Sequence, residues 1–358
     1  MRHLKVRLPT LAVLAFVVSL AACESIGYYG QAVSGQLGLL RQRQSINTVL
    51  QNAQLPATQR QQLELVLRLR NFADRELLLP VSDQYSTYVD LSSDFVVWNV
   101  FAAPEFSMTP RQWCYPIAGC SSYRGYFSER AAQRYAAGLR QQGFDVYVGG
   151  VGAYSTLGWF EDPVLSPMLR RDEAQLAALL FHELAHQLVY VAGDTAFNES
   201  FATLVEREGQ RRWIAAQEPQ RQAVLQQAAV TAQQRQAQFV ALVQNAAAEM
   251  ATLYHQTLPP AQMRADKTAI QMRLRADYEV LKIEWNGYAG YDRWFAGELN
   301  NAQLATVTTY NQWVSAFQRL LDQHNGELSA FYQSVRKLAA LKPAQRLETL
   351  QSQTRSDS

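Results

Sequence analysis

The stretch Phe181-His182-Glu183-Leu184-Ala185-His186-Gln187 decides how this chain is read. Two histidines four residues apart project from one face of a helix, close enough to share one ion. Glu183, next to the first histidine, can reach a water at that ion without ligating it. Ala177, Ala178, Leu179, Leu180, Leu184 and Leu188 make the rest of the helix apolar. A buried helix that carries three titratable groups is costly unless a metal satisfies them. The competing reading is two histidines on an ordinary surface helix, since the bare spacing also arises by chance. The apolar flanks and an export signal weigh against it.

The helix is expected from about Asp172 to Ala192, with Asp172 and Gln175 as a capping box and Gly193 as the stop. A catalytic zinc needs a third protein ligand and one open position. The extended form with a third histidine is absent, because Val189 and Ala192 stand where its Gly and His would be. His255 and His324 are far along the chain, which leaves carboxylates. Glu199, in the opening of a second helix from about Asn198, is the favoured third ligand. Glu206, seven residues on, is the second choice or a partner behind a ligand, and Asp194 the third. Each is also what an acid near a helix N-terminus would be without a metal. Glu183 would then be the general base of a metal-assisted hydrolysis. Tyr123, Arg124 and Tyr126 are candidates to stabilise the oxyanion.

Upstream, residues 41–79 read as helices, with Pro56 opening the second segment. The β-branched and aromatic run from Phe95 to Phe101 reads as a strand ended by Pro104. Residues 128–142 return to helix, with Ser128 as cap and Gly143 past the end. Phe144 to Val151 and Ala153 to Phe160 read as two strands, joined as a hairpin near Gly149-Gly150. Peptide substrates often pair with such a strand. Glu161 and Asp162, which follow it, are candidates to bind a substrate α-ammonium; an acidic turn before Pro163 is the plainer alternative. Downstream, residues 214–256 and 261–285 read as long helices broken at Pro259-Pro260. A last helical stretch covers 302–341, with a break at Asn325-Gly326.

The first residues have the form of an export signal. Arg2, Lys5 and Arg7 precede an apolar run from Leu8 to Leu20, too short to span a bilayer comfortably. Leu20-Ala21-Ala22-Cys23 resembles the bacterial lipoprotein signal, in which Cys23 is acylated. The plainer alternative is an ordinary cleaved signal. Residues 24–40 are expected to tether the body to the membrane. The chain has 358 residues and formal charge +2. Without the three basic residues of the signal, 30 basic residues stand against 31 acidic, so nothing favours nucleic acid as a partner. Of the three cysteines, Cys114 and Cys120 remain, six apart, and an oxidising compartment makes a small disulfide loop the expectation.

Several of these strings together resemble a bacterial family of predicted zinc aminopeptidases, often lipoproteins. They are Cys114 to Cys120, Tyr123 to Phe127, Thr156 to Pro163, Phe181 to Gln187 and Phe197 to Ala202, with Asn300-Asn301-Ala302 and Tyr310 near the end. The resemblance implies a gluzincin-like site with His182, His186 and Glu199 as zinc ligands and Glu183 catalytic. The expected fold is α+β and mainly α-helical. A zincin-like helix lies beside a small β-sheet, and a long helical hairpin follows. The expected organisation is a signal over 1–22, a tether over 23–40 and a peptidase body over 41–358. Within the body, 41–210 is the α+β catalytic part and 211–358 the helical part. The expected function is a Zn2+-dependent aminopeptidase acting on peptides, held by its lipid on the cell envelope and facing the periplasm or exterior. A zinc endopeptidase and a non-catalytic envelope-binding lipoprotein are the alternatives.

Overall fold

A computed structural model describes residues 27–115, 119–153 and 161–355. The export signal, Cys23, the strand expected over 154–160 and the side chain of Tyr310 lie outside the described residues. The first helix, α1, covers residues 27–42. There follow β1 (Gln44–Ser45), α2 (Ile46–Leu50), α3 (Ala57–Arg75), β2 (Thr87–Val89), β3 (Val97–Pro104), β4 (Trp113–Tyr115), β5 (Gly119–Ser121) and β6 (Arg124–Tyr126). Next come α4 (Glu129–Gln141), β7 (Phe144–Val151), β8 (Val164–Leu165) and α5 (Glu173–Leu188). The rest is helical: α6 (Thr195–Ala215), α7 (Pro219–Tyr254), α8 (Pro260–Glu284), α9 (Asp292–Phe295), α10 (Asn301–Asn311), α11 (Val314–Gln323), α12 (Leu328–Ala339) and α13 (Pro343–Arg355). The chain is mainly helical with small sheets, as an α+β reading requires. Among the described residues, no helix is long and apolar enough to cross a membrane.

Three layers of packing position the site. In the largest core, α5 buries Leu176, Leu180, Phe181 and Leu184 completely against α3, α6 and the α11–α12 pair. Each such side chain contributes about 1.5–3 kcal/mol, which holds α5 in place although its other face is polar. Gly209 of α6 lets the two helices close up, since a Cβ there would stand 2.6 Å from the Phe181 ring. A second core joins α7, α8 and α10 through Phe239, Val243, Met250, Leu274 and Tyr278. This is the long helical hairpin expected from the sequence. A third core packs α4 on the sheet β6-β3-β7, all antiparallel. The sheet β1-β2-β8 pairs β2 antiparallel with β1 and parallel with β8.

Local signals placed several boundaries. Ser128 accepts from the Ala131 N–H at the start of α4, and Asp172 from the Gln175 N–H at the start of α5. Asn325 and Gly326 both take positive φ between α11 and α12.

Three expectations are corrected. Gly149 and Gly150 make no hairpin turn: they sit inside β7, paired with Asn99 and Trp98 of β3. Aromatic rings occupy the space their side chains would need, with Phe95 atoms 2.5 Å from a Cβ on Gly150. Residues 27–40, read as part of a tether, belong to α1, which docks on the sheet edge. Tyr28 stacks on Tyr115 at 5.7 Å, and Gln31 accepts from the Phe127 N–H at 3.0 Å. Finally, α5 ends at Leu188, before Gly193, because the chain turns extended at Val189.

Candidate metal centre

The turn between α5 and α6 brings the site together. The Asn198 side chain donates to the Val191 carbonyl and accepts from the Val191 N–H, both at 2.8 Å. Asp194 caps α6 by accepting from the Phe197 N–H at 3.1 Å, and its other oxygen accepts from Arg346 at 2.9 Å. Gly119, in the hairpin closed by the Cys114–Cys120 disulfide, packs against Ala192 and Gly193 of the same turn. The disulfide expected from the sequence is therefore present.

Folded back in this way, α6 lays Glu199 across the two histidines. Its Oε2 lies 3.4 Å from His182 Nε2 and 3.8 Å from His186 Nε2. The three donor atoms lie within 4.8 Å of one another, and the arrangement can hold one metal ion. Glu206, two turns further along α6, approaches the other nitrogen of His182, with Oε2 at 3.0 Å from Nδ1. A carboxylate behind a ligating imidazole fixes its orientation and tautomer. Asp194 serves as a helix cap. His255 and His324 bond locally, to the Ala251 carbonyl and to Ser334.

Charge is unevenly shared. Burial opposes a proton on His182, but Glu199 and Glu206 outweigh it and raise its pKa well above 6.5. Burial lowers His186 to about 4, so it stays neutral, and its Nδ1 has no hydrogen-bond partner among the described residues. Burial raises the Glu199 carboxyl, but the two histidines win and lower it. Glu183 is pushed up to about 7, by burial first and by the charges of Glu199, Asp162 and Glu206, against His182.

The other sequence candidates divide. Asp162 is 1% exposed and close enough to Glu183 for their charges to interact. Glu161 is exposed and faces Arg43 at 3.8 Å. Tyr126 is buried in the core between α4 and the sheet, and Tyr123 meets the Phe101 ring at 5.6 Å. Arg124 lies over the rings of Tyr28 and Tyr135, at 4.1 and 4.5 Å. The structure adds three residues that sequence reasoning missed. Tyr85 is coupled to Glu183 and Asp162, Arg171 to Glu206 and Glu183, and Tyr190 to Glu199. Tyr190 follows His186 by four residues, which was a usable signal. Tyr85 lies 88 residues upstream of the start of α5 at Glu173, with no spacing that could reveal it.

No curated protein and no solved structure matches the chain. A family model described as "Putative aminopeptidase" matches residues 27–350, nearly the whole length, and the chain belongs to that family.

Proposed function

We propose that this protein is a zinc-dependent aminopeptidase, anchored through acylated Cys23 on the outer side of a cell membrane. The observation that carries the reading is the convergence of His182 Nε2 and His186 Nε2 on one oxygen of Glu199, with Glu183 alongside. Four ligands at about 2.0–2.1 Å around a tetrahedral zinc stand roughly 3.3–3.4 Å apart, close to the 3.4 and 3.8 Å between Glu199 Oε2 and the two histidine nitrogens. Two imidazoles and one carboxylate, with no cysteine, are a catalytic rather than a closed structural donor set.

A zinc ion at these residues would polarise a substrate carbonyl and acidify a water. The chain's own groups carry the protons. Glu183, at a pKa of about 7, is matched to accept the proton of the attacking water and return it to the departing amine. Glu206 holds the His182 ring. Asp162 supplies a negative charge beside Glu183, suited to a substrate's free α-ammonium. A blocked amine is neutral and forms no ion pair there. The exposed Glu161 is less suited to the task.

The test is direct. Purified protein should hold about one zinc per chain. His182→Ala and His186→Ala should lose it, whereas Glu183→Gln should retain it and lose activity. Free short peptides should be cut from the amino end while N-acetylated copies survive, and Asp162→Asn should narrow that difference. A metal-free wild type, prepared without chelator, rules out the zinc reading. Equal cleavage of free and acetylated peptides at internal bonds makes the enzyme an endopeptidase.

A further inference from the structure

Helix α1 is packed on the body by one side and turns the other outward. On the packed side Tyr28 stacks on Tyr115, Gln36 is buried and Leu39 joins the main core. Gly35 meets the Phe127 ring so closely that a Cβ would stand 2.1 Å from it. These contacts fix which residues face away. Tyr29, Val33 and Leu37 do so, at 45, 58 and 42% exposure. Steps of four place them in one stripe along the helix, and Arg41, also exposed, continues it.

A helix face turned to water ordinarily carries charged and polar side chains. Helix α1 holds no Asp or Glu, and Arg41 is its one charged residue. Exposed apolar side chains on α8 are set differently. There Met272, Val280 and Ile283 are interleaved with the exposed Arg273, Glu279 and Glu284, as on a wetted face.

The second observation is where the chain leads. Gly27 follows Cys23 by four residues. Four residues reach at most roughly 14 Å, whatever path they take. With acyl chains on Cys23 in a bilayer, the first turn of α1 stays within that distance of the attachment. Tyr29 lies in this turn, and tyrosine is enriched where membrane meets water. Arginine suits anionic head groups, which an acidic face would repel.

Resting on the lipid anchor read above, we propose that this face of α1 seats on the membrane. Tyr29, Val33 and Leu37 enter the layer between head groups and acyl chains, and Arg41 meets the lipid phosphates. The lipid alone would leave the body free to swing about Cys23. A helix about 24 Å long, laid along the surface, adds a second attachment. Because α1 is packed against the sheet, that attachment fixes which side of the body faces the lipid.

The test uses the full, processed chain on vesicles of phosphatidylethanolamine and phosphatidylglycerol, with a fluorophore on one introduced cysteine. Acylation blocks Cys23 and the disulfide blocks Cys114 and Cys120, so only the new thiol reacts. Val33→Cys and Leu37→Cys report on the face, and Val224→Cys, at a site 70% exposed on α7, is the control. All three replace exposed side chains, so the fold should survive. Labels at positions 33 and 37 should shift to the blue on the vesicles. They should lose about half their emission or more when the acyl chains carry a spin label near the head group, since an interfacial helix sits about 5–10 Å deep. The label at position 224 should do neither. A blue shift without quenching, growing with protein density, places a second copy of the chain on this face and overturns the proposal. Unshifted and unquenched labels on protein that floats with the vesicles also overturn it, and leave the anchor standing. Quenching at position 224 equal to that at 33 means that the body has no fixed seat, and overturns it as well. Wild-type protein that does not float with the vesicles overturns the lipid anchor and the seat with it.

Discussion

His182 is held by two carboxylates, one on each ring nitrogen, while His186 shares only one of them. The consequence appears when the metal is stripped. The folded pKa of His182 lies well above 6.5. Its stabilising contribution is therefore complete below pH 6.5 and is lost as the pH rises through the folded value. Glu183, raised from 4.5 to about 7, favours its neutral form in the folded state and destabilises the fold as it ionises. His186, lowered to about 4, opposes both trends, but only below pH 6.5. Above that pH the first two act alone. Metal-free protein should therefore unfold at lower temperature at pH 8 than at pH 6.5, and Glu206→Gln should flatten the difference. Calorimetry of chelator-treated protein at the two values checks this. A midpoint that rises toward pH 8 removes the paired-carboxylate account of His182. The two histidines and Glu183 were legible in the sequence because one helical turn places them. Tyr85 was not, because it belongs to a distant loop held by Arg70, Gln84 and Asp162.

At the scale of elements, the site depends on how sharply α6 folds back on α5. Asn198 holds both backbone groups of Val191, and the next residue is Glu199. Asn198→Ala would leave those two groups without their partner and should cost about 2 kcal/mol of stability. It should also weaken metal binding, because the Glu199 carboxylate would lose its register against the imidazoles. Urea unfolding together with zinc titration tests both. A variant with lower stability and unchanged zinc affinity would show that the turn supports the fold without setting the site. Caps such as Ser128 and Asp172 could be read from the sequence because they act within one turn of chain. The pair Gly149-Gly150 could not, because a two-glycine step reads as a hairpin turn until the rings of Phe95 and Tyr147 are known to need the space.

For the whole molecule, the question is how the body sits on its membrane. Residues 24–40 looked like a tether by composition, rich in glycine, serine and tyrosine. From residue 27, however, the chain is helical and docked on the sheet edge, where Arg124 lies over Tyr28. This tertiary contact could not be read from local pattern. Only residues 24–26 separate Cys23 from the described start of α1. An acylated Cys23 would therefore hold the body close to the lipid surface rather than at the end of a long flexible arm. Several acyl chains on one cysteine suffice for stable attachment without a spanning helix. Cys23→Ser should move the protein from the membrane fraction to the soluble one, or leave it with its signal uncleaved. The released form should keep full activity on short peptides, since the site lies in α5 and α6. A variant that fractionates and migrates like the wild type rules out acylation. One that is released but inactive would mean that the first residues contribute to the active fold itself.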